Sequence, residues 1–267
     1  MNAGRKGFSL VEMLIVAVLG SLIVLASLQV LVTNQRAYTG QSQKIRGQQT
    51  SRAGMEILTG EIREVSAQGG DILAMGPDSI TIRTMRKFGV VCAVSTANPP
   101  QLTAIQVGDW FAVDDSVFVF ADNSTSRSSD DAWIPVRVTA VDTTQTCAGR
   151  SAQLLSFAGQ SALFTADSVR TGAPVRSYTR YTYGLYDVDG TPYLARRTTG
   201  APVPMVGPVR ASDGVAFAFF DRNGAVTANM ADVRQIDVTL RTPPGALSAT
   251  DHTPISDSIT ARVFTRN

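Results

Sequence analysis

The chain contains one histidine, His252, and two cysteines, Cys92 and Cys147, in 267 residues. One imidazole and two thiols so far apart lack the ligand spacing of a structural zinc site, so metal chemistry on nitrogen and sulfur donors is not expected. Lysine is nearly missing as well: three (Lys6, Lys44, Lys87) stand against 21 arginines, and no function is read from that bias. Excess charge of either sign is lacking, with 24 basic and 22 acidic side chains, which gives no reason to expect strong non-specific attraction to nucleic acid or anionic lipid. There is no G-x-S-x-G nucleophile elbow, no Gly-rich phosphate loop and no credibly placed carboxylate pair. His252, in Asp251-His252-Thr253-Pro254, therefore reads as a loop histidine, and neither an enzyme nor a cofactor is expected.

Charge is also lacking from residue 8 to residue 32, FSLVEMLIVAVLGSLIVLASLQVLV, except for Glu12. A helix crosses a bilayer with about 20 apolar residues, so this segment is long enough. Arg5 and Lys6 precede it and favour a cytoplasmic N-terminus with the bulk of the chain outside. A carboxylate in such a helix costs about 2.5–3.5 kcal/mol at the bilayer centre and less near an interface, so Glu12 needs compensation. An ordinary secretory signal would end at a small-x-small site, but this apolar run continues through Leu28, Val30 and Leu31, and Val24-Leu25-Ala26 is a poor site. A plain anchor explains the length and leaves Glu12 unexplained.

The residues Lys6-Gly7-Phe8-Ser9-Leu10-Val11-Glu12 resemble the prepilin motif of the type IV pilin and type II secretion pseudopilin families. The resemblance implies cleavage between Gly7 and Phe8 by a prepilin peptidase, N-methylation of Phe8, and retention of Glu12 for assembly. It also implies a single-pass inner-membrane protein whose C-terminal domain lies in the periplasm before entering a pilus or pseudopilus. The implied partners are other minor pilins or pseudopilins and the inner-membrane assembly platform. Gly7 lets the scissile bond be presented extended. Cleavage exposes an ammonium about one turn from Glu12, and pairing one subunit's amine with a neighbour's Glu12 offsets the cost of both charges in lipid.

The expected organisation is a leader at 1–7, a transmembrane helix at 8–32, its amphipathic continuation at 33–68, and an antiparallel β domain at 69–267. No proline occurs before Pro77, and Met55, Leu58, Ile62 and Val65 form an apolar stripe that Gln68-Gly69-Gly70 is expected to stop. Gly40, Gly47 and Gly54 recur every seven residues, each costing about 0.8–1.0 kcal/mol in a helix. Either they permit close helix packing in a fibre core or they mark a frayed helix.

Beyond residue 70 the period becomes two, in Ile80/Ile82, Ile134/Val136/Val138/Ala140, Val215/Phe217/Phe219, Ile236/Val238/Leu240 and Ile259/Ala261/Val263. Turns are expected at Gly76-Pro77-Asp78, Asp187-Val188-Asp189-Gly190 and Asp221-Arg222-Asn223-Gly224, and an exposed loop at 122–131. The fold class is thus α+β, a long helix on an antiparallel sheet. The order of C-terminal segments resembles PilW-type minor pilins and J-type pseudopilins, so a minor pilin for pilus assembly or priming is the first reading. A J-type pseudopilin is the alternative, and a membrane-tethered enzyme or ligand-binding β domain the alternative of another class.

On the outer side of the membrane Cys92 and Cys147 are expected to pair, contributing about 4 kcal/mol in the chain-entropy model; two buried thiols are the other possibility. Asp187-Val188-Asp189-Gly190 invites calcium, but the EF-hand's closing Glu is missing and a hairpin turn explains it better. Arg176, Arg180-Tyr181-Thr182-Tyr183 and Arg196-Arg197 could suggest a nucleic-acid surface. On a strand, neighbours in sequence point to opposite faces, so nucleic acid is not expected as a partner.

Overall fold

The computed structural model describes residues 9–95, 99–124, 126, 131–158, 168–244 and 256–266. Among these residues one α-helix, α1 (Leu10–Arg63), precedes twelve strands: β1 (Ile72–Met75), β2 (Ser79–Ser95), β3 (Gln101–Val107), β4 (Ser116–Ala121), β5 (Ala132–Cys147), β6 (Arg150–Phe157), β7 (Pro174–Val188), β8 (Thr191–Arg197), β9 (Val203–Val206), β10 (Val215–Phe220), β11 (Gln235–Arg241) and β12 (Ser258–Phe264). The class is α+β, with every strand pairing between these elements antiparallel.

At 1.5 Å per residue, the 54 residues of α1 run for about 80 Å. Its buried residues, Gly40, Ser51, Gly54, Met55, Leu58 and Ile62, all lie in the C-terminal half. Met55, Leu58, Ile62 and Val65 sit in one core with Ile80, Ile82, Tyr183 and Leu194 of the large sheet and Ile236, Val238 and Leu240 of the small one. The helix ends at Arg63, before the Gln68-Gly69-Gly70 signal. Two neighbours claim the backbone just beyond it: the Asp71 carboxylate accepts from Ser66 N–H at 3.0 Å, and Arg266 N–H donates to Val65 O at 2.9 Å. Gly70, at φ 73°, then reverses the chain into β1.

The glycine series has a use that neither sequence reading named. A Cβ on Gly47 would meet Thr242 Cγ2 at 3.2 Å, and one on Gly54 would meet Val206 Cγ2 at 2.5 Å. These glycines seat the chain's own β domain against its helix.

The strands form two lobes. Beside α1 lie β1, the first half of β2, the second half of β7, β8 and β9, together with the separate sheet β10-β11-β12. The second lobe is a closed ring in the order β2-β3-β6-β5-β4-β7, because β2 pairs with both β3 and β7 while β7 also pairs with β4. An even number of antiparallel strands closes without an unpaired edge. Val91, Leu102, Val117, Val119, Ile134, Val136, Val138, Leu155, Phe157 and Val175 fill its interior as a second hydrophobic core. The expected single β domain is therefore a helix-bound sheet with a barrel hung from its two longest strands. Ile134, Val136 and Val138 point inward as their alternation predicts. Ala140 is exposed, because a bulge between Val138 and Ala140 shifts the phase.

Candidate assembly site on the N-terminal helix

The sequence-predicted processing residues Gly7 and Phe8 lie outside the described residues; Ser9 is the first of them. Ser9 is extended (φ −69°, ψ 144°), and its carbonyl accepts the first helical bond from Met13 N–H at 3.1 Å. Glu12 stands in the first turn, exposed, where the helix N-terminus favours a negative charge. No salt-bridge partner for Glu12 occurs among the described residues.

Between Leu10 and Val32 the large apolar side chains are all exposed, from Val32 at 41% to Leu10 at 80%. No described residue of the β domain covers them, and the window that is apolar enough to span a bilayer is unburied. Such a surface far exceeds the apolar patch a soluble monomer tolerates. Its two serines are satisfied internally: Ser21 donates to Val18 O and Ser27 to Ile23 O, each at 2.8 Å. Inside lipid that leaves neither hydroxyl proton without an acceptor.

The structure joins Cys92 and Cys147 in a disulfide with Cα atoms 6.4 Å apart. Cys92 falls at a bulge between Val91 and Ala93 of β2, and Cys147 ends β5 at the turn made by Ala148 (φ 50°) and Gly149 (φ 76°). In the ring, β2 and β5 are separated by two strands on either side, so the bond ties opposite walls of the barrel.

At the join between the lobes lies a pair with no sequence signal. Arg176 of β7 and Asp71 are both buried, with Arg176 Nη2 4.0 Å from Asp71 Oδ2. The Arg176 guanidinium lies 4.3 Å from the Trp133 ring centroid and 5.2 Å from that of Phe118. Burial raises the Asp71 carboxyl above the ordinary carboxylate range, opposed by the Ser66 N–H bond and then by Arg176. Burial likewise lowers the Arg176 guanidinium, with Asp71 opposing it. Arg180 and Arg197 are exposed while Tyr183 is fully buried, so the Arg/Tyr segment divides between two faces as strand geometry requires.

Asp187–Gly190 forms the β7–β8 hairpin turn, with Asp189 at φ 53° and Gly190 at φ 78°, and Asp187 Oδ1 accepts from Gly190 N–H at 2.8 Å. Among the described residues no three His, Cys, Asp or Glu side chains cluster as a metal site. His252 lies outside the described residues, as do positions 125 and 127–130 of the expected polar loop.

Residues 2–28 match the model of the prokaryotic N-terminal methylation motif. Neither the curated proteins nor the solved structures gave a match to the chain. The chain thus begins with a type IV pilin leader, and its long N-terminal apolar helix, followed by an antiparallel β domain, fits a pilin-like protein.

Proposed function

We propose that this chain is a minor pilin, a structural subunit that helps assemble or prime a type IV pilus. The observation that carries the reading is the methylation motif at residues 2–28, set on a helix whose apolar half is bare and whose other half is seated in a β domain. In this reading a prepilin peptidase cuts between Gly7 and Phe8 and Phe8 is methylated. The new ammonium of one subunit then meets Glu12 of its neighbour. Arg5 and Lys6 hold the leader in the cytoplasm, so the β domain faces the periplasm, where the Cys92–Cys147 bond is stable. The bare apolar surface first faces lipid and then the helices of other pilins delivered by the assembly platform. The chain's role is structural rather than catalytic. The barrel lobe, with a core of its own, supports a specialised subunit over one repeated along a fibre.

Deletion of the gene, with complementation, separates the two machines. The expected result is loss of surface pili with unchanged export of type II secretion substrates. Normal piliation combined with lost secretion would contradict the pilus reading and assign the chain to a pseudopilus.

A further inference from the structure

The sheet that packs on α1 has a second face, turned away from the helix. Tyr178, Arg180, Thr182, Gly184 and Tyr186 of β7 alternate onto it, while Tyr183 and Leu185 point into the core. Register sets Arg83 of β2 opposite Arg180 and Thr81 opposite Thr182. From β8 it sets Arg197 opposite Thr182 and Tyr193 opposite Tyr186. Arginines far apart in sequence thereby form a diagonal row across three strands.

Two of the three guanidinium groups lie over aromatic rings. Arg83 lies 5.3 Å from the Tyr178 centroid and 5.2 Å from Phe118, and Arg197 lies 5.1 Å from Tyr186. Arg180 and Arg197 are exposed and Arg83 is half-buried, and none of the three forms a salt bridge among the described residues. Strands β1, β2, β8 and β9 contain no Asp or Glu, and the one in β7, Asp187, alternates to the other face. Asp71, whose backbone carbonyl accepts from Arg83 N–H at 2.8 Å, is buried with its carboxylate beside Arg176.

We propose that this face docks an acidic, carboxylate-rich segment of a protein partner. Directly opposed positions are about 5 Å apart and diagonal ones about 7–8 Å. Alternate side chains of an extended peptide recur at about 6.6–6.8 Å, which suits this row. Arg83 already donates from Nη1 to Gly70 O at 2.9 Å, whereas the side chains of Arg180 and Arg197 donate to no described residue and offer their N–H edges for bidentate bonding to carboxylate. The stacking of Arg83 and Arg197 occupies the rings of Tyr178 and Tyr186, the platforms that a single-stranded nucleic acid would need. Tyrosine and arginine are also the side chains enriched in protein interfaces. The proposal does not depend on the reading of the leader.

The test uses the full chain in detergent micelles and a short fluorescein-labelled poly-L-glutamate peptide, followed by anisotropy at low salt. Oligothymidylate of equal charge is the comparison ligand. Saturable binding of polyglutamate is expected, weakened by added salt and reduced roughly tenfold in the double variant Arg180→Gln, Arg197→Gln. Arg222→Gln, at an exposed turn elsewhere, is expected to bind as the parent does. Absence of saturable binding, an equal loss with Arg222→Gln, or oligothymidylate binding as tightly as polyglutamate would each overturn the proposal.

Discussion

Two acidic residues carry opposite demands on their surroundings. Glu12 sits exposed on an apolar helix end with its compensation expected from another subunit. Glu12→Ala is therefore expected to be cleaved and folded like the parent yet to be strongly depleted from sheared fibres, checked by immunoblotting of the cell and fibre fractions. Asp71 meets its partner within the chain, in a setting where burial outweighs its hydrogen bond and the nearby guanidinium groups. Its folded pKa is raised above the unfolded value, so its contribution to stability is full below the unfolded pKa and is lost as pH rises through the folded one. In Asp71→Asn that step disappears. Thermal unfolding from acid to neutral pH is expected to show the parent's advantage over Asp71→Asn shrinking as pH rises. A gap that widened with pH would mean that Arg176 holds the carboxylate as a net favourable ion pair.

At the scale of elements, two helix glycines separate seat from solvent. Gly60 is exposed with nothing within 4 Å of an added Cβ, so Gly60→Ala is expected to stabilise by about 0.8–1.0 kcal/mol through helix propensity. Gly54→Ala gains the same propensity but drives a Cβ to 2.5 Å from Val206, and overpacking of this kind costs about 1–3 kcal/mol. Its melting temperature is expected to fall below that of Gly60→Ala in the same denaturation series. The seat was half legible: Met55, Leu58, Ile62 and Val65 announce it by local periodicity, whereas the glycines' partners, Val206 and Thr242, come from distant strands. Strand alternation was legible for the same local reason. Barrel closure was not, because alternation is the same in an open sheet, and closure depends on the second half of β2 meeting the first half of β7, where Gly89 lies opposite Val175. Arg176 reads as a surface residue for want of any local sign that Asp71, Phe118 and Trp133 converge on it.

The whole molecule consists of a bare apolar rod, a sheet clamped to its lower half and a barrel with a separate core. Separate cores allow separate responses. Cys92→Ser with Cys147→Ser is expected to cost about 2–5 kcal/mol, concentrated in the barrel. Hydrogen exchange would then show faster opening in β3–β6 while β10–β12 stay protected; uniform loss of protection would mean that the lobes unfold as one. The N-terminal half of the rod has no partner among the described residues, and a pilin account supplies two in succession, lipid and neighbouring helices. Everything in that account begins with removal of residues 1–7. The most direct measurement is therefore intact mass with N-terminal sequencing of the chain expressed with and without a prepilin peptidase, alongside a proven substrate. The account predicts a peptidase-dependent product that starts at methylated Phe8. A chain that starts at Met1 in both samples, while the control substrate is cut, would contradict it.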